Sequence, residues 1–113
     1  MNKVTTSELI SKGFSTNNGK WSYNGKPCVL DFYADWCMPC KQQEVVLNDM
    51  DKEYSDVIFN KINIEEEYEL AEMFSIKSLP TIIICGKETM QFTGLTSKQK
   101  IETFLKSQID ILV

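Results

Sequence analysis

Asp31-Phe32-Tyr33-Ala34-Asp35-Trp36-Cys37-Met38-Pro39-Cys40-Lys41 joins an apolar, aromatic run of strand-like composition to a helix-compatible segment. The junction carries two cysteines separated by two residues, a spacing that closes a small disulfide ring when both sit on the first turn of a helix. At that turn the unpaired N–H groups and the helix dipole favour negative charge, so the first cysteine is stabilised as a thiolate. The pattern therefore points to thiol–disulfide exchange.

The rest of the composition narrows the chemistry. The chain has 113 residues, 42% hydrophobic and 25% charged, which suits one domain, 1–113, with a single core. Sixteen acids against twelve lysines give a net charge of −4, and arginine is absent. The acidic balance and the lack of a bidentate guanidinium argue against nucleic acid. Histidine is absent as well, which excludes Cys–His and Ser–His–Asp catalysis and Cys2His2 zinc sites. No apolar run approaches the roughly 18 residues that a membrane span needs. Met1 to Ser15 is polar, so no signal peptide is read there.

Outward from the cysteines, Cys28 to Ala34 reads as a central strand, apolar on both faces apart from Asp31. Pro39 to about Tyr54 reads as a helix with Val46, Leu47, Met50 and Tyr54 on one face. Val57 to Ile64 is a second strand, and Glu65, Glu66 and Glu67 open a helix with Leu70, Ala71, Met73 and Phe74 as its apolar side. Ser78 to Cys85 is a strand introduced by Pro80. Gly86-Lys87 turns it into a partner, Thr89 to Thr93, that ends at Gly94. Thr96 and Gln99 form a capping box for a last helix, whose face is Ile101, Phe104, Leu105, Ile109 and Leu112. Upstream, residues 3–14 hold a short helix capped by Thr5 or Thr6, with Leu9 and Ile10 as core contacts and Gly13 as its stop. Ser15 to Pro27 is a loop or small hairpin, in which Trp21 and Tyr23 cover a sheet edge. Strands alternating with helices, then a hairpin and a final helix, predict an α/β fold: a central mixed sheet with helices on both faces.

With these signals in order, the chain resembles the thioredoxin family from about residue 3 to 110. The carrying residues are Asp31 to Cys37 with Lys41 after the second cysteine, Lys61-Ile62-Asn63-Ile64, Leu79-Pro80-Thr81, and Gly94. The resemblance implies the thioredoxin fold and a protein-disulfide reductase. Cys37 would be the nucleophile and Cys40 the resolving cysteine. Asp31, an isolated carboxylate in an apolar strand, would carry the proton for Cys40. Lys61 would be its partner by resemblance alone; on its residues it is equally a surface lysine. A cis bond is expected before Pro80, with Trp36, Met38, Pro39, Leu79, Pro80, Gly94 and Leu95 bordering the substrate-docking surface. Three departures stand out: Met38 replaces the glycine commonest at that position, Val45 replaces a helix-kinking proline, and the hairpin after Pro80 is short while the Ser15–Pro27 loop is long.

Rival readings keep the same cysteines. An oxidant or isomerase on this fold differs only in potential, and a non-catalytic binding module is opposed by the intact pair. A structural zinc site would need four ligands, and the only further sulfurs, Cys28 and Cys85, fall on different strands and read as small core residues. No cofactor and no metal are expected. The expected partners are disulfide-containing protein substrates and an electron-donating reductase, not nucleic acid or membrane. The chain is expected to act as a monomer in the cytoplasm, or in the periplasm or another extracytoplasmic space if a signal peptide has been removed.

Overall fold

Apolar residues that alternate along one segment and recur at helical spacing in the next set the element order. The computed structural model describes residues 1–17, 20–23 and 25–112, the side chains of 15–17, 20–23 and 110–112 excepted. In chain order the elements are β1 (Asn2–Lys3), α1 (Thr6–Ser11), β2 (Phe14–Asn17), β3 (Lys20–Tyr23), β4 (Cys28–Tyr33), α2 (Met38–Glu53), β5 (Ile58–Asn63), α3 (Tyr68–Met73), β6 (Thr81–Cys85), β7 (Thr89–Thr93) and α4 (Lys98–Leu112). The five-stranded sheet has the order β1-β5-β4-β6-β7. Central β4 runs parallel to β5 and antiparallel to β6, so the sheet is mixed. β2 and β3 pair as a separate antiparallel hairpin.

Period-two alternation in β4 builds two cores. Cys28, Leu30 and Phe32 pack with Leu9, Phe14, Leu70 and Phe74, on the side of α1 and α3. Val29 packs with Leu47, Met50, Ile101 and Leu105, on the side of α2 and α4. Each leucine or isoleucine buried in these layers contributes about 1.5–3 kcal/mol relative to exposure. By the same alternation Asp31 lies on the α2/α4 side. Lys61 joins it there, because its β5 neighbour Ile62 packs on the opposite face.

Helix ends follow local chemistry, with four corrections to the expectations. α1 begins at a Thr5–Glu8 capping box as expected, but Leu9 alone of its residues is buried and Ile10 is 63% exposed. A helix of six residues turns only one line of side chains inward. Met73 in α3 is likewise exposed. The acids Glu65 to Glu67 lie in the turn before α3 rather than within it, and Glu67 Oε1 accepts the Thr6 N–H at 2.6 Å. α4 is capped by Ser97, whose hydroxyl accepts the Lys100 N–H at 3.2 Å; Thr96 has another task. The two-residue β1 is an addition to the expected strands. The segment before β4 is the hairpin of β2 and β3; the side chains of Trp21, Tyr23 and Leu112 lie outside the described residues.

Among the described residues, no helix is long and apolar enough to cross a membrane.

Candidate active site

β4 ends at Tyr33, and the next residues hand the chain directly to α2. Cys37 is the N-cap of α2, with extended backbone angles, and Pro39 sits in the first turn, where its missing N–H leaves nothing unpaired. The Cys37 N–H donates to the Ala34 carbonyl at 3.1 Å. Cys40, one turn in, is bonded to Cys37 as a disulfide with 5.3 Å between the Cα atoms. Its N–H donates to Cys37 Sγ at 3.2 Å. That N–H and the N-terminal end of α2 both point to the Cys37 sulfur, an arrangement of the kind that favours a thiolate. Both cysteines are buried, whereas Trp36 and Met38 on either side of Cys37 are 68% and 65% exposed and Pro39 is exposed.

The peptide bond between Leu79 and Pro80 is cis. Leu79 packs against the cluster of Ala34, Cys37 and Cys40, with Tyr33 and Ile64 beside it. The Pro80 carbonyl accepts the Gly94 N–H at 2.8 Å, which ties the end of β7 to the cis turn. Gly94 has φ of +86°, a conformation that costs glycine little and a Cβ-bearing residue much more. Leu95 follows it, half-exposed. Trp36, Met38, Leu79, Pro80, Gly94 and Leu95 thus come from three separate segments, two of which the Leu79 and Pro80 contacts draw to the disulfide.

Gln43 was not anticipated as part of the site. It is fully buried on α2, where its Nε2 donates to the Thr96 carbonyl at 3.1 Å and its Oε1 accepts the Thr96 N–H at 2.7 Å. Thr96 Oγ1 donates to the Gly94 carbonyl at 2.9 Å. The sequence does carry a signal for this: Cys40, Gln43, Leu47 and Met50 are spaced three, four and three residues apart, the inward line of a helix.

Asp31 is buried in the middle of β4, and neither carboxylate oxygen has a hydrogen-bond partner among the described residues. Burial, then the like charge of Glu44, push its carboxyl up to about 7, against the pull of Lys61. Lys61 stands opposite Asp31 in the β4/β5 register, yet its hydrogen bond goes to Glu44, not to Asp31 as expected. It acts on Asp31 only through space.

Cys28 and Cys85 face each other across the β4/β6 register, fully buried and free. Burial pushes the Cys28 thiol well up and the Cys85 thiol up to about 12, so both are inert at neutral pH. They lie in the α1/α3 core, apart from the Cys37–Cys40 cluster. Among the described residues, no group of three or more histidine, cysteine or acidic side chains could hold a metal ion.

Comparison with known proteins agrees with this geometry. The family model described as Thioredoxin matches residues 11–107. A thioredoxin of Buchnera aphidicola is 39% identical over 115 residues, covering 97% of this chain and all of its own length. A thioredoxin of Borreliella burgdorferi is 31% identical over 109 residues, covering 91% of this chain and 92% of that one. In three dimensions, Fasciola hepatica thioredoxin superposes with a TM-score of 0.75 at 27% identity, covering 95% of this chain and 97% of that one.

Proposed function

The chain belongs to the thioredoxin family, and from that premise we propose a division of labour among its residues that runs the exchange in the reducing direction. The protein is a thiol–disulfide oxidoreductase whose couple is Cys37 and Cys40. In the reduced form, the Cys37 thiolate attacks one sulfur of a substrate disulfide. A Cys37–substrate mixed disulfide forms and the first substrate sulfur leaves as a thiolate, to be protonated by solvent. Cys40 then gives its proton to Asp31 and attacks Cys37 Sγ. The Cys37–substrate bond breaks, the second substrate sulfur leaves, and the Cys37–Cys40 disulfide is regenerated.

The single observation that carries this reading is the Cys37–Cys40 disulfide on the first turn of α2. The order of the two cysteines follows from position, since Cys37 is the N-cap and receives the Cys40 N–H. Asp31 suits the base role because its carboxyl, pushed to about 7, exchanges its proton in the physiological range. Lys61 tunes it from the neighbouring strand. The exposed Trp36, Met38, Pro39 and Leu95, with the backbone around Leu79, Pro80 and Gly94, receive an extended segment of the substrate protein.

Thioredoxins act on disulfide-containing substrates and are usually reduced by a reductase. For this chain we assign protein disulfides as substrates and a dedicated reductase as electron donor. Residues 1–113 act as one domain, as a monomer, in the cytoplasm. Neither nucleic acid nor membrane enters the reaction, and no cofactor or metal is invoked.

The test is reduction of the interchain disulfides of insulin by this protein, recycled with dithiothreitol. The reading requires turnover well above the dithiothreitol background. Background-level turnover, with the Cys37–Cys40 pair verified as reduced, would contradict it.

A further inference from the structure

A buried carboxyl with a lysine on the adjacent strand would ordinarily close an ion pair, and such a pair would hold it ionised. Asp31 and Lys61 are register partners on the face that α2 covers, yet no such bond forms. Lys61 Nζ lies 2.5 Å from Glu44 Oε1, and both Asp31 oxygens stay unpartnered. Glu44 projects from α2 one helical turn after Cys40, with its side chain 32% exposed beside the 22% exposed lysine. The Tyr33 ring, with its centroid 5.3 Å from Nζ, flanks the ammonium. On the other strand neighbouring Asp31, the register partner is the uncharged Ile82. With Cys37 and Cys40 joined as a disulfide, the charges that act on Asp31 are therefore Glu44 from α2 and Lys61 from β5, and reduction adds the two cysteine thiols at the start of α2.

We propose that Glu44 is a positioning residue: it holds the Lys61 ammonium off Asp31, and so decides how readily that buried carboxyl takes up and gives back a proton. Glu44 and Asp31 compete for one cation, and Glu44 wins because its oxygen keeps contact with water while Asp31 would have to charge in a dry interior. Two effects of Glu44 are distinct: its own charge raises the Asp31 carboxyl directly, and its ion pair holds back the lysine that lowers it. The inference deepens the assignment of Asp31 as the base for Cys40, and its kinetic consequence rests on that assignment.

The test is a carbon-13 NMR titration of the Asp31 carboxyl in the reduced protein. The signal is assigned by its loss in Asp31→Asn, and the pH profile of mixed-disulfide resolution is recorded alongside. In Glu44→Gln the released lysine is expected to lower the Asp31 midpoint by about one pH unit or more. The acidic limb of the resolution profile should move down with it, and Glu44→Asp should stay near wild type. In a Lys61→Met background, Glu44→Gln should move the midpoint less than half as far. An unmoved midpoint in Glu44→Gln overturns the inference. So does an equal shift with and without Lys61, which would mean direct repulsion rather than positioning. A midpoint that moves while the resolution limb stays supports the hold of Glu44 on Asp31 and contradicts the base role of Asp31.

Discussion

Gln43 and Thr96 exchange two hydrogen bonds, which together use both backbone groups of the threonine and both ends of the amide. The pair is buried and bridges α2, which carries Cys40, to the segment that follows Gly94. A side chain on the helix that carries the Cys37–Cys40 disulfide thus ties down the segment proposed as the far border of the docking surface. Gln43→Ala would strand a buried N–H and a buried carbonyl and leave a cavity. Each stranded group costs about 1–3 kcal/mol, so a loss of about 2–6 kcal/mol is expected by chemical denaturation. KM should rise several-fold for a protein disulfide and little for a small-molecule disulfide, since the displaced segment meets only the larger substrate. Equal effects on both substrates would place the damage at the sulfurs instead.

The order of attack separates the two cysteines. Cys37→Ser should abolish disulfide reduction. Cys40→Ser should still attack and then accumulate as a mixed disulfide with its substrate, because resolution is lost. Mass spectrometry of the trapped species, and of the reduced protein after brief iodoacetamide treatment at pH 7, should both mark Cys37. Primary labelling at Cys40 would reverse the roles.

Met38 presents a bulky, exposed side chain between the cysteines and carries no charge. Met38→Gly should therefore shift the thiolate pKa of Cys37 by well under about one unit, since no charge or helix-end N–H is removed. Rates on protein disulfides should change several-fold. The check is thiolate absorbance against pH beside turnover on two protein substrates. A large pKa change with unaltered rates would contradict a role in substrate choice.

Asp31 ties activity to stability. Its carboxyl is raised to about 7 in the folded protein against 3.8 ordinarily, so the folded state holds its proton over a range in which the unfolded state has released it. Stability should fall as pH rises from about 4 to about 7, by at most about 4 kcal/mol at full ionisation. Asp31→Asn removes that dependence. Denaturation at pH 8 should show the variant more stable than wild type, and at pH 5 the gain should be less than half as large, because the wild type has by then lost only the part between about pH 4 and 5. In single turnover, resolution should slow more than mixed-disulfide formation. No gain at pH 8, or equal slowing of both steps, would contradict a buried proton carrier.

Much of the fold was legible because its signals are local. The β4 run, the Cys37–Cys40 turn, the Leu47 and Met50 stripe and the Gly86 turn are each written within a few residues. Asp31 was conspicuous as one carboxylate in an apolar strand. Burial in that strand already pointed to a raised carboxyl; what stayed hidden was the part of Glu44 and Lys61, brought together only when α2 packs on β5. The cis bond at Pro80 came from family likeness, since nothing in Leu79-Pro80-Thr81 itself demands it. Ile10 and Met73 misled because short helices expose apolar residues that a longer stripe would bury. Thr96 resembled a helix cap and instead ties Gly94 to Gln43, while Ser97 does the capping.

The central claim is that Cys37 and Cys40 form a reducing couple, and its most direct test is the reduction potential of that pair. Equilibration with defined ratios of reduced and oxidised glutathione, followed by acid quenching and separation of the two forms, gives the value. The account predicts a couple more reducing than about −240 mV, near the roughly −270 mV that marks thioredoxins. A potential between about −120 and −200 mV would contradict it, because such a pair would pass its disulfide to substrates rather than reduce theirs.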